Sequence, residues 1–199
     1  MRGAAEALRS AASLEGGTRE RLLDVIDRAA DQLGRLADDL LIATHRDTDR
    51  LEVVIAPCDA AVVARAVAEA ARASHPDRSI RLEAAAGLPS AVADPGRLRQ
   101  VLANLVDNAL IHGDGAVELA VEEAEGLIRI AVTDAGPGIP AEQRERIFEP
   151  YARLADPAVP GSGLGLYLAR ELVTGMGGSL SVTEAPNGGA TFTVSLRPA

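Results

Sequence analysis

The chain has 199 residues, 47% of them hydrophobic and 25% charged, with a formal net charge of -9. That leaves room for one medium domain plus a small appendage, in the mix of a globular rather than a disordered protein. The acidic balance argues against non-specific binding to nucleic acid or an anionic membrane, no apolar run is long enough to span a bilayer, and the single cysteine, Cys58, excludes an internal disulfide.

The opening MRGAAEALRS has no apolar signal-peptide core. With one cysteine, this makes a cytoplasmic setting the expectation, any membrane anchor lying outside the chain. All 20 basic residues are arginine. A site for a phosphorylated ligand must therefore draw its positive potential from glycine amides, a helix N-terminus, a metal ion or a placed arginine.

Residues 1–13 read as a short helix that breaks at Gly16-Gly17, where Thr18 can cap a second helix. That second helix is expected from about Arg19 to Thr44. Its apolar residues Leu22, Ile26, Ala29, Leu33, Leu36 and Leu40 recur at spacings of 4, 3, 4, 3 and 4. Three heptads fit equally a dimerising helical hairpin and a plain amphipathic helix lying on the next domain. At 1.5 Å per residue the first helix spans about 20 Å and the second about 39 Å. The first can therefore cover only half of the second, leaving Leu33, Leu36, Leu40 and Leu41 in want of a partner helix.

After the polar linker 45–50, elements alternate. The pattern predicts a strand at Leu51–Ile55, a helix at 60–73 capped by Asp59, a strand at 79–84 and a helix at 95–112. A hairpin of strands at 116–122 and 127–133 comes next, then a glycine turn at 134–140, a short helix at 141–148, a loop at 149–163, a helix at 164–175, and strands at 179–184 and 190–196. The fold class read from this order is α+β: a two-layer sandwich with a mixed sheet and helices on one face.

Three segments carry chemistry. Asn104 and Asn108 lie four apart on one stripe of the helix in LRQVLANLVDNALIHG. Asparagine is a poor helix-interior residue, so the pair either bonds a neighbouring loop or holds amide oxygens toward a hard cation. Asp134-Ala-Gly136-Pro-Gly138 directly follows a strand. It is either a plain tight turn or a place where a flat ring approaches glycine backbone while the carboxylate accepts from an exocyclic amine. Adenine presents an amine and guanine a carbonyl, so such a carboxylate selects adenine. Gly161-Ser-Gly-Leu-Gly-Leu opens a helix, either as a hinge or as an anion cradle. It is neither a Walker A loop nor a dinucleotide fingerprint.

The order Asn104/Asn108, Asp134-x-Gly-x-Gly, Ile147-Phe148-x-x-Tyr151, Gly161-x-Gly-x-Gly, Gly189-Ala-Thr191-Phe192 resembles the N, G1, F, G2 and terminal boxes of the bacterial two-component sensor histidine kinases. Their ATP-binding domain has the Bergerat fold, shared with gyrase, the ninety-kilodalton heat-shock chaperone and the mismatch-repair ATPases. The resemblance covers residues 49–199 as the ATP-binding catalytic domain. It makes residues 1–48 similar to part of the dimerisation and histidine-phosphotransfer hairpin, without its acceptor-histidine box.

The resemblance implies ATP and Mg2+ as cofactors and assigns roles. Asn108 would bind the metal, Asn104 would support the phosphates, and Arg153 would contact phosphate, these three forming the catalytic set. Asp134 would hold adenine. Gly136, Gly138, Gly163 and Gly165 would shape the pocket, together with His112, Ile139, Gly161, Ser162, Leu164 and Leu166. Phe148 and Tyr151 would anchor the ATP lid at 149–163, and Thr191 would lie near the adenine pocket. The implied partners are a second copy or a related kinase joined through the N-terminal helices, a response regulator receiver domain, and a histidine-bearing helix from another chain or an upstream segment.

Two departures stand out. Ile111 occupies a place where the family usually has lysine or arginine. None of His45, His75 and His112 is followed by an acidic residue, as the family's acceptor is. The reading is a protein-histidine kinase that transfers the γ-phosphate to a histidine outside this chain and does not phosphorylate itself. The alternative is a degenerate kinase acting as a heterodimerising binding module. A hydrolysing ATPase ranks third, because the hydrolysing relatives carry a glutamate general base where Asn104 stands, and an amide cannot take a proton.

Overall fold

The computed structural model describes residues 53–113, 115–152, 163–186 and 188–199. The expected helices at 1–13 and 19–44, and Arg153, Gly161 and Ser162, lie outside the described residues. Arg50 to Ala199 forms one compact unit.

Two aspartates start the first two helices. Asp59 accepts from the Val62 amide and opens α1, Ala60–Ser74; Asp94 accepts from the Gly96 and Arg97 amides and opens α2, Pro95–His112, with proline at the start. Each cap satisfies donors that the first helical turn leaves without partners. The third helix, α3, Gly165–Gly175, begins at Leu164 with no side-chain cap.

Between α1 and α2 run β2, Ile80–Ala84, and β3, Ala91–Ala93; after α2 come β4, Val117–Ala124, and β5, Leu127–Thr133, and after α3 come β6, Ser179–Glu184, and β7, Ala190–Leu196. A five-stranded sheet has the order β2-β4-β5-β7-β6, with β2 and β4 parallel and every other pair antiparallel. The period of two sorts the residues. Ile128, Ile130 and Val132 of β5, and Phe192, Val194 and Leu196 of β7, are buried against the helices. Thr133, Thr191, Thr193 and Ser195 face the other way and are half-buried. The sheet is therefore mixed, with one face under helices, as the sequence predicts.

α2 is the central helix and packs against α1, α3 and the sheet. Leu98, Val101, Leu102 and Leu105 are fully buried at 0% exposure, which makes this the helix whose position is most tightly determined. Ala64 and Ala68 of α1 are also fully buried; small side chains there let α1 approach closely.

Two predicted elements differ. Of the strand expected at Leu51–Ile55, residues 51 and 52 lie outside the described residues and 53–55 are not in a strand, which comes instead at β1, Ala56–Cys58, paired antiparallel with β3. The β-branched run before it is drawn elsewhere, the Val54 amide donating to Asp94 Oδ2 at 2.9 Å. The C-terminus extends this small sheet, since the Val92 amide bonds Arg197 O and the Ala199 amide bonds Ser90 O. Residues 141–148, expected as one helix, form two single 3-10 turns at Ala141–Gln143 and Arg146–Phe148, neither with a side-chain cap. Burial of Ile147 and Phe148 sets the second turn. Phe148 meets Phe192 edge to face at 6.4 Å, with the Arg170 guanidinium 5.0 Å above its ring.

Candidate functional site

Asp134 directly follows β5 and is the one buried charged residue among those described, at 7% exposure. Its main-chain amide continues the ladder to Ala190 O at 3.0 Å. Its Oδ1 accepts from the Gly136 amide at 2.8 Å and from the Ala190 amide at 3.2 Å. Oδ2 makes no hydrogen bond to a described residue. A buried carboxylate with one oxygen locked and the other open is set up to accept from a ligand donor.

Glycines let three backbone segments meet around this carboxylate. A Cβ on Gly136 would lie 2.7 Å from His112 O at the end of α2. One on Gly113 would lie 2.6 Å from Ala109 O and 3.0 Å from Asp134 Cβ, and one on Gly138 would lie 3.1 Å from Gly189 O. Gly189 has φ +84° and would drive a Cβ into the Asp134 carbonyl. The missing side chains at Gly136 and Gly138 therefore face protein backbone. They stack the turn on α2 and on the β6–β7 turn. Gly113 and Gly189 belong to the same arrangement, though the sequence gives neither a role. Gly189 opens the terminal box, but only the fold shows what it abuts.

Thr191 lies on β7 opposite Thr133 of β5. Its hydroxyl bonds the Thr133 hydroxyl at 3.0 Å on the face away from the helices. The residue of β7 that touches Asp134 is Ala190, because alternation along a strand sends neighbours to opposite faces.

Asn104 and Asn108 are both half-buried on α2. The Asn104 Nδ2 donates to Gly165 O at 3.4 Å and so ties α2 to the start of α3. This realises the loop-bonding reading for Asn104 while leaving its Oδ1 available. The Asn108 amide makes no hydrogen bond to a described residue. His112 and Ile111 are exposed at the end of the same helix.

The Tyr151 amide donates to Gly163 O at 3.0 Å. Gly163 has φ +73°, and a Cβ there would lie 2.8 Å from the Tyr151 carbonyl carbon. Tyr151 itself has φ +63° and an exposed ring, so its backbone rather than its side chain makes this junction. Phe148 is buried in the core, Leu164 is buried, and Leu166 and Ile139 pack against the core edge. The Gly165 Cβ direction is open. Among the described residues, no group of three His, Cys, Asp or Glu could cage a metal ion, and no helix is long and apolar enough to cross a membrane.

Comparison with known proteins shows the family and the fold. Residues 93–199 match the family of histidine kinase-, DNA gyrase B- and HSP90-like ATPases. The chain is 37% identical over 172 residues to the sensor protein KdpD of Rathayibacter rathayi, covering 85% of this chain and 20% of that protein. It is 33% identical over 188 residues to the signal transduction histidine-protein kinase AfsQ2 of Streptomyces coelicolor, covering 92% of this chain and 34% of that one. Among solved structures, full-length ShkA in complex with AMPPNP superposes with a TM-score of 0.73 at 31% identity, covering 94% of this chain and 40% of ShkA. The chain thus spans a fifth to a third of these two curated relatives.

Proposed function

Because the chain belongs to the histidine kinase-, DNA gyrase B- and HSP90-like ATPase family, and its relatives are sensor histidine kinases, we propose that residues 49–199 bind Mg-ATP and deliver its γ-phosphate to a histidine outside this chain. The phosphoryl group would then pass to an aspartate on a response regulator receiver domain. Residues 1–48 would join a second copy or a related kinase as part of a dimerisation hairpin. The complex of ShkA with AMPPNP supports the nucleotide.

The observation that carries the reading is the Asp134 carboxylate, buried, held at Oδ1 by two backbone amides and with no partner at Oδ2 among the described residues. Such an oxygen accepts from the adenine amine and repels a carbonyl in the same place. The uncapped start of α3, with Gly165 and Leu166, offers backbone amides to the phosphates. Asn104 reaches that start from α2.

The donor set fits a magnesium ion held mainly by phosphates and water. Asn108 supplies one hard amide oxygen that no described residue engages, and no acidic cage stands among the described residues. When bound, the ion would neutralise charge on the phosphates. The chain's own residues hold the base at Asp134 and place the triphosphate along α2 and the α3 start. Phosphoryl transfer asks chiefly for positioning and charge neutralisation, and an imidazole nucleophile needs no general base at Asn104. His75 precedes Pro76 and His112 precedes Gly113, neither of them the acidic context of a phosphoacceptor.

The test is titration of the full chain with ATP, with and without Mg2+, followed by incubation with γ-labelled ATP. Saturable binding that strengthens with Mg2+, and no acid-labile label on the chain itself, is the expected result. No binding would overturn the reading, and acid-labile, base-stable label on this chain would place the acceptor within it.

A further inference from the structure

Arg78, in the loop between α1 and β2, makes contacts 32 to 37 positions away in sequence. Its Nη1 donates to Leu110 O at 3.2 Å; its Nη2 donates to Gly113 O and, at 3.2 Å, to Gly115 O. These carbonyls belong to the last turn of α2 and the loop behind it, where a helix leaves acceptors without intrahelical donors. A planar guanidinium suits them, since it presents several N–H groups in a fixed fork and brings positive charge to a helix C-terminus.

The backbone that Arg78 grips is the support on which Asp134 rests. The Cβ position of Gly113 is 3.0 Å from Asp134 Cβ, and that of Gly136 is 2.7 Å from His112 O and 3.3 Å from Gly113 Cα. The Cβ position of Gly115 is 2.8 Å from Ala135 Cβ. The glycines leave no side chain of their own between these segments. A shift of a few tenths of an ångström in the backbone of 110–113 or Gly115 therefore passes to the carboxylate.

We propose that Arg78 is a positioning residue for base recognition: by holding the carbonyls of Leu110, Gly113 and Gly115, it keeps Asp134 Oδ2 where an exocyclic amine meets it. This role rests on Asp134 being the adenine acceptor. It concerns selectivity more than raw affinity, since Arg78 acts on the base only through the backbone it holds.

The test titrates the wild-type chain, Arg78→Lys and Arg78→Met with ATP and with inosine triphosphate, which carries a carbonyl in place of the amine. Loss of folded protein lowers both apparent affinities alike, so their ratio reports only the geometry at Asp134. The wild type should prefer ATP. Arg78→Met should lose about tenfold in ATP affinity, the scale of one hydrogen bond to a charged group, and bring the ratio toward one. Arg78→Lys should fall between, because a compact ammonium reaches fewer of the three carbonyls. In the nucleotide-free chain the amide resonances of Gly136 and Ala190, both bonded to Asp134 Oδ1, should shift in the same order. A variant that melts lower yet keeps the wild-type ratio would make Arg78 a stabilising residue only and overturn the inference. If Arg78→Met does not fold, the lysine variant decides the same question. A wild type that binds both nucleotides equally would overturn the Asp134 reading first, and this inference with it.

Discussion

Replacing Asp134 by asparagine separates the two jobs of its carboxylate. In Asp134→Asn the side-chain amide oxygen can keep the bonds that Oδ1 makes to the Gly136 and Ala190 amides, at 2.8 and 3.2 Å in the wild type. The NH2 group then stands in place of Oδ2, turning an acceptor into a donor. A lost hydrogen bond to a charged group is worth about 1.5–3 kcal/mol, so the dissociation constant for Mg-ATP should rise about ten- to a hundredfold. Inosine triphosphate should lose less or gain, because its carbonyl now faces a donor. Stability should fall little in the asparagine variant. Asp134→Ala, by contrast, strands two amides beside a nearly closed site, at about 1–3 kcal/mol each. Calorimetric titration with both nucleotides, alongside thermal melts of both variants, checks this. An asparagine variant that binds ATP as the wild type does, or loses both nucleotides equally, would refute the assignment.

Asn108→Ala should leave the melting temperature nearly unchanged, its amide having no bond to a described residue, and should weaken ATP binding with Mg2+ toward the value measured without it. Gly189→Ala should abolish folding or lower stability severely, since its Cβ meets the Asp134 carbonyl at φ +84°. Gly188→Ala, at φ +79° with nothing within 4 Å of its Cβ, should cost only about 1–2 kcal/mol of backbone strain; denaturant titration of the pair distinguishes steric from conformational cost. Asp94→Ala removes the α2 cap and the bond from Val54 and should cost about 1–2 kcal/mol near neutral pH. Those bonds, Val54 foremost, hold the Asp94 carboxyl below its ordinary value. Its stabilisation is therefore complete above the ordinary carboxylate pKa and fades as pH falls through the lowered folded value. The stability gap between wild type and Asp94→Ala, followed by denaturation across pH, should shrink only in that acid range.

What could be read from the sequence was what short-range chemistry writes into it. Asp59 before an apolar-periodic run marked the start of α1, because a cap acts within three residues; the matching cap of α2 by Asp94 was shown by the structure. Alternation marked β4 and β5, because each buries one face over seven or more residues. The Asp134 turn and the paired asparagines were visible as residue types out of keeping with bland secondary structure. Tertiary structure decided what depends on neighbours distant in sequence. β1 and β3 are three residues each, too short for a pattern, and exist because they pair with each other and with the C-terminus. Residues 141–148 break into 3-10 turns because Ile147 and Phe148 are drawn into the core. Strand register puts the Ala190 amide against the Asp134 carboxylate and the Thr191 hydroxyl against Thr133, which no motif spacing reports. Gly113 and Gly189 matter only because α2, β5 and the β6–β7 turn meet there. Arg78, one arginine among 20, is singled out only when the fold brings it to three carbonyls more than thirty residues away. Local propensity chose the elements; long-range backbone contacts chose where the Asp134 carboxylate stands.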